Sequence, residues 1–116
     1  MSDEKRELTP AAKALKERIS AIMASAKSKP RGSGFIDADM QTALRGMTAA
    51  DMLELEPPST DTGIWTNDPG FCVRLGSRLF GCSPESVHEL PWQHYLFFTQ
   101  IVTANFIRSM EGVIPS

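Results

Sequence analysis

Proline and glycine punctuate this chain so regularly that they leave room for helices and little else. Thr9-Pro10, Asp68-Pro69 and Ser83-Pro84 each pair a side chain that can cap a helix with a proline, and Pro91 restarts the chain once more. Proline costs nothing at a first helical position, where the missing N–H would have had no acceptor, and the preceding Thr, Asp or Ser can bond a free N–H of the first turn. Gly81 and Gly112 stand where a left-handed residue would close a helix. The punctuation predicts one helix from Pro69 to Phe80, a bridge from Gly81 to Leu90 that holds a short second helix, and a long helix from Pro91 to Glu111. Five of the nine aromatic residues lie between Pro91 and Gly112, with Phe80 shortly before, so burial potential is concentrated there.

The remainder obeys the same grammar. Leu15, Ile19, Ile22 and Met23 recur at helical spacing after Thr9-Pro10, among Lys13, Lys16, Glu17 and Arg18. Lys27 and Lys29 suit a helix C-terminus, and Pro30 and Gly32 end it. Ile36, Met40 and Leu44 predict a two-turn helix closed by Gly46, and Thr48 with Asp51 forms a capping box, stapled by Met47 and Met52. That helix stops before Pro57-Pro58, a polar turn follows over 59–63, and Ile64-Trp65 returns the chain to the core. Alternation of period two is absent. The expected fold is all-α, a small bundle of four to five helices with a long aromatic-rich C-terminal helix.

At 116 residues the chain has room for one core. Residues 1–34 read as a charged leader, a helix and the flexible linker Ser28–Gly34, and residues 35–116 as a single helical domain. The first helix is expected to be loosely attached or to dock on a partner. A net charge of −2 with no basic cluster argues against generic binding to phosphate backbones. Met1–Glu7 is charged and leads into no apolar core, so no secretory leader is expected. The Tyr95–Ile107 run is interrupted by Thr99, Gln100, Thr103 and Asn105 and falls short of the roughly 20 apolar residues of a membrane span. A cytoplasmic location is expected.

Stepping about 100° per residue along the last helix gathers Trp92, Tyr95, Leu96, Val102, Phe106, Ile107 and Met110 on one wide face. Phe97, Phe98 and Ile101 point the other way, among His94, Gln100 and Asn105. The first face is expected to be core. The second needs a cover, from the earlier helices or from another protein.

Chemistry-bearing residues form no recognisable set. Cys72, Cys82, His88 and His94 lack the close pairs of a zinc site, and nothing orients a Cys–His couple for nucleophilic attack. A helix between the two cysteines separates them by more than about 10 Å, too far for a disulfide. The acidic residues have plain duties as caps and first-turn charges, and Arg31–Gly34 is too short for a phosphate loop. No catalytic residue, metal or cofactor is expected. Val73–Leu90 has the layout of a helix-turn-helix, with Ser77, Gly81, Val87 and Leu90 in the motif's places. Its second helix, however, offers Ser83, Glu85, Ser86, His88 and Glu89, with no Arg or Lys to read bases, and Pro91 cuts it to about two turns.

Leu79-Phe80-Gly81-Cys82-Ser83-Pro84, then Val87, Leu90-Pro91 and Trp92-Gln93-His94-Tyr95-Leu96, together resemble the small tail-assembly chaperone-like proteins of tailed bacteriophages over about residues 71–100. The resemblance implies a non-enzymatic protein that holds an aggregation-prone tail component until assembly. Its partner would be a tail tube or tape-measure protein, with a homo-oligomer as a further possibility, in the host cytoplasm. A permanent tail or baseplate component, located in the virion, and a helix-turn-helix regulator are the alternatives. Phe97, Phe98, Ile101 and His94 would form the protein-binding surface, with the stripe of Leu15, Ile19 and Ile22 as a second contact.

Overall fold

A computed structural model describes residues 8–27, 35–58 and 65–111. They form six α-helices: α1 (Pro10–Ala26), α2 (Ala38–Arg45), α3 (Ala49–Glu54), α4 (Pro69–Phe80), α5 (Pro84–His88) and α6 (Trp92–Met110), with a single 3-10 turn at Trp65–Asn67 before α4. No strand occurs among the described residues. The fold is an all-α bundle with a long aromatic C-terminal helix, as the sequence predicts. Among the described residues the helices number six rather than four to five, because α3 and α5, of six and five residues, are each capped independently. The linker over 28–34, the polar turn over 59–63, Ile64 and Gly112 lie outside the described residues.

The caps expected at Thr9, Thr48, Asp68 and Ser83 are made by those side chains, and Asp37, not singled out from the sequence, caps α2 so that Ile36 falls outside the helix. The Asp37 carboxylate accepts the Met40 N–H at 3.0 Å and that of Asp68 accepts the Phe71 N–H at 2.9 Å, while Thr9 and Ser83 cap α1 and α5. Thr48 and Asp51 bond reciprocally at 3.0 and 3.2 Å, completing the capping box. The Thr48 backbone N–H, with Arg78 adding its charge, holds the Asp51 carboxyl below its ordinary pKa. At the end of α4, Gly81 takes φ 72° and the Cys82 N–H reaches back to the Ser77 carbonyl at 2.9 Å. That is the Schellman closure, which a residue with a Cβ enters only at a steric cost.

Helix α6 is the axis of the bundle, in contact with α1, α2, α4 and the 3-10 turn, while α1 also packs on α5. Two contacts set its position. Gly76 lies on α4 where α6 passes closest, and a Cβ there would stand 2.2 Å from Phe98 Cζ and 2.8 Å from Val102 Cγ2. Asn105, fully buried, bonds at every side-chain position. Its Oδ1 accepts the Asp37 N–H at 2.9 Å and Gln41 Nε2 at 3.1 Å, and its Nδ2 donates to the carbonyls of Phe35 at 2.9 Å and Ile101 at 2.8 Å. One side chain thereby pins the start of α2 to α6. A buried polar group is tolerated in such a core only when satisfied in this way.

The expectation for the two faces of α6 is corrected. Phe98 and Ile101, read as an outward contact, are 0% exposed, whereas Trp92, Leu96 and Ile107, read as core, are 69%, 40% and 37% exposed. Of the face expected to be core, Val102 and Phe106 are buried, with Tyr95 and Met110 half-buried. The helix is covered from several sides at once, so its exposed strip is the one facing between neighbours. A helical wheel holds no information about where neighbours stand. The expectation of a loose first helix is corrected as well, since Ala12, Leu15 and Ile19 of α1 are buried in the common core.

Two stability outcomes follow from these contacts. Gly76→Ala should lower unfolding free energy by about 2–3 kcal/mol, because a pinned aromatic ring cannot yield as a flexible side chain would. Asn105→Leu keeps the number and branching of side-chain heavy atoms but orphans the Asp37 N–H and the Phe35 carbonyl, and should cost about 2–4 kcal/mol. Urea titration followed by circular dichroism reads both; a midpoint unchanged from wild type would refute the corresponding contact.

Candidate functional site

The seven residues expected to bind a partner do come together, but as an internal interface. Leu15, Ile19, Phe98 and Ile101 share one buried cluster, against which Ile22 and Phe97 are packed half-buried. His94, also half-buried, places Nε2 3.1 Å from Ser20 Oγ on α1 and its ring edge-on to Phe97, with centroids 5.9 Å apart. Burial, with the Lys16 charge adding to it, holds the His94 pKa below its ordinary value. The Thr9 N–H and hydroxyl both donate to the Glu89 carboxylate at 3.1 Å, and Arg18 lies 5.0 Å over the Phe80 ring while donating to the Phe80 carbonyl at 3.3 Å. The cover that this face of α6 required comes from the chain itself, from α1 at His94 and from α4 at Phe98.

The open surface lies around the N-termini of α4, α5 and α6, which converge on a cleft of about 700 Å³. Val73, Val87, Leu90 and Tyr95 supply apolar walls, Pro69 and Pro84 stand at the edges, and Trp92 lines one side. The Trp92 ring stacks on Tyr95 with centroids 5.8 Å apart and 25° between planes, and Tyr95 stacks in turn on buried Phe98 at 6.3 Å. Trp92 is thus held in place by a column of rings rooted in the core, yet most of it faces solvent. Sequence reasoning assigned Trp92 to the core. The available signal was its place as the first residue of α6, where a helix begins before its neighbours cover it.

Arg74, His88 and Tyr95 are the ionisable residues lining the cleft. Arg74 Nε donates to the Leu55 carbonyl at 2.5 Å and Nη2 to the Glu56 carbonyl at 2.8 Å, so the guanidinium is fixed by two backbone oxygens. Glu56 sits at φ 55°, in the left-handed region, and Arg74 braces that turn. Gly70 leaves room above it: a Cβ there would lie 2.9 Å from Arg74 Nη1.

The rest of the described surface offers little chemistry. No three His, Cys, Asp or Glu side chains among the described residues are placed to hold a metal ion. No described helix is long and apolar enough to cross a membrane. Both cysteines are free thiols, with Cys72 pushed up to about 12 by burial and Cys82 raised by burial against the opposing effects of Ser77 and Arg18. Comparison with known proteins returns nothing: no family model, no curated protein and no solved structure matches the chain.

The raised thiol pKa values predict slow alkylation, because the thiolate is the nucleophile. At pH 8, iodoacetamide should leave Cys72 unmodified in the native protein and label Cys82 more slowly than free cysteine. Peptide mass spectrometry checks this, with both sites expected to label fully in urea.

Proposed function

We propose that the protein is a non-enzymatic protein-binding factor acting in tail assembly of a bacteriophage, and that it grips its partner through the cleft bounded by α4, α5 and Trp92. The observation that carries this reading is Trp92, an aromatic side chain 69% exposed at the wall of an apolar cleft and held rigid by stacking on Tyr95. Aromatic anchors of this kind supply large contact area at low entropic cost and are enriched at binding hot spots. The resemblance of residues 71–100 to tail-assembly chaperones covers the same elements, from α4 through the first half of α6. It supplies the class of partner, a tail tube or tape-measure component.

The charge distribution favours protein over DNA as that partner. In the helix-turn-helix-like pair α4 and α5, Arg78 is turned to Asp51 at 3.1 Å and Glu54 at 3.9 Å, and Arg74 to two backbone carbonyls. Elsewhere Arg18 bonds the Phe80 carbonyl and Arg108 pairs with Glu111 at 3.3 Å. Helix α5 turns Ser86 and Val87 inward and presents Pro84, Glu85 and His88, a set with no fixed positive charge to meet phosphate.

Co-expression with the tail components encoded beside its gene is the direct test. Wild-type protein should co-purify with one of them and Trp92→Glu should not, while the variant's unfolding free energy stays within about 1 kcal/mol of wild type, as expected for an exposed position. An intact complex with Trp92→Glu would refute the cleft as the contact. Mass spectrometry of purified particles then separates the roles, since an assembly chaperone is absent from the finished tail and a structural component is retained.

A further inference from the structure

We infer that the protein forms a two-fold dimer in which the exposed strip of α6 packs antiparallel on the same strip of a second copy. Leu96 lies against Ile107 of the second copy, and Gln100 against its Thr103. This contact goes beyond the cleft and does not depend on what the cleft binds.

The strip consists of Gln93, Leu96, Gln100, Thr103, Ile107 and Met110, spaced alternately three and four residues apart. At about 100° per residue these positions stay within a band roughly 100° wide along the whole helix. Gln93, Leu96, Gln100 and Ile107 are exposed, and Thr103 and Met110 are half-buried. Phe98, Ile101, Val102 and Asn105, on the other side of the helix, are buried in the chain's own core. Alternate three-four spacing is the pattern by which one helix presents a straight seam to another, with axes crossing at about 20°.

Charge tells this strip from a face made for water. No Asp, Glu, Lys or Arg occurs from Trp92 to Ile107. Each of the other five helices exposes at least one such residue: Lys13 on α1, Asp39 on α2, Glu54 on α3, Arg78 on α4 and Glu85 on α5. Depletion of charged residues marks the centre of protein interfaces, whereas overall hydrophobicity does not.

The strip is complementary to itself. With a two-fold axis at the level of Ile101 and Val102, Leu96 falls opposite Ile107, Gln100 opposite Thr103 and Gln93 opposite Met110. Large apolar side chains then meet towards both ends. At the centre an amide meets a hydroxyl, and each of these can donate and accept a hydrogen bond. A two-fold contact repeats every such pair, so a second copy supplies the whole matched surface at once. Antiparallel axes also set the positive N-terminal end of each α6 beside the negative C-terminal end of the other, whereas a parallel pair would align like ends. A net charge of −2 per chain leaves little repulsion between copies.

Sedimentation equilibrium of the full chain at about 100 µM tests the contact, a concentration ample for the micromolar dissociation constant expected of a two-helix interface. Wild-type protein should be a dimer. Leu96→Lys and Ile107→Glu should each be monomeric, with self-association weakened at least about a hundredfold, because either variant buries two unpaired charges. Both should keep wild-type helicity by circular dichroism, since the positions are exposed within one chain. Mixed in equal amounts, the two variants should form a dimer of one chain each, within about tenfold of wild-type affinity. In that pair the introduced lysine faces the introduced glutamate at one end, and an unaltered Leu96 faces an unaltered Ile107 at the other. The two positions lie about 16 Å apart along one helix, so the rescue cannot arise within a chain. A monomeric wild type, or a single variant that still dimerises, would overturn the inference. A mixture that stays monomeric would overturn the antiparallel pairing, because a parallel pair sets lysine on Leu96 and glutamate on Ile107. Co-purification of tail components with Leu96→Lys is scored separately, so loss of the dimer is distinguishable from loss of cleft binding.

Discussion

The close passage of α4 over α6 at Gly76 is the constraint on which the rest of the bundle depends. With no Cβ at Gly76, the Phe98 ring and Val102 can approach the α4 backbone, and Phe98 becomes fully buried. Phe98 then serves as the base of two ring stacks, one to Phe80 at 5.5 Å and one through Tyr95 to Trp92. The first stack offers Arg18 of α1 a ring to lie over, which helps seat α1 on the core. The second fixes the wall of the cleft. A single missing methyl thus links the internal packing to the surface read here as functional.

A second, polar constraint acts at the other end of α6. Asn105 reaches Phe35, Asp37 and Gln41 ahead of and within α2, so the register of α2 on α6 is set by directed bonds. Apolar packing alone tolerates sliding, because Leu and Met surfaces are interchangeable to a large degree. A buried amide with fixed donors and acceptors does not. Trp65, Phe71 and Phe106 fill the space nearby as a cluster of edge-on and stacked rings with centroids 5.6 to 6.4 Å apart.

Local structure was legible in the residues to a high degree, and the reasons are local. Thr9, Thr48, Asp68 and Ser83 cap the helices they precede, and Gly81 takes the left-handed conformation, because each of these outcomes depends on atoms within a few residues. The faces of α6 were not legible. That helix carries apolar residues almost all round, so its pattern states that it is covered widely and omits by what. Arg74 was likewise unreadable, because its two carbonyl partners lie 19 and 18 positions earlier in the chain, in a turn that has no pattern of its own.

By itself, then, the order of residues determined that this chain is helical, where its helices begin, and that its last helix is the heaviest in aromatic surface. Caps, prolines and periodicity act over a turn or two, and the sequence contains them in full. Tertiary structure alone decided that Phe98 and Ile101 are buried, that Trp92 stays outside, and that Arg74 and Gly70 meet at the edge of an apolar cleft. Those outcomes depend on which surfaces reach one another across tens of residues. There the deciding terms are the volume missing at Gly76 and the bonds of Asn105, and neither is visible until the helices are packed.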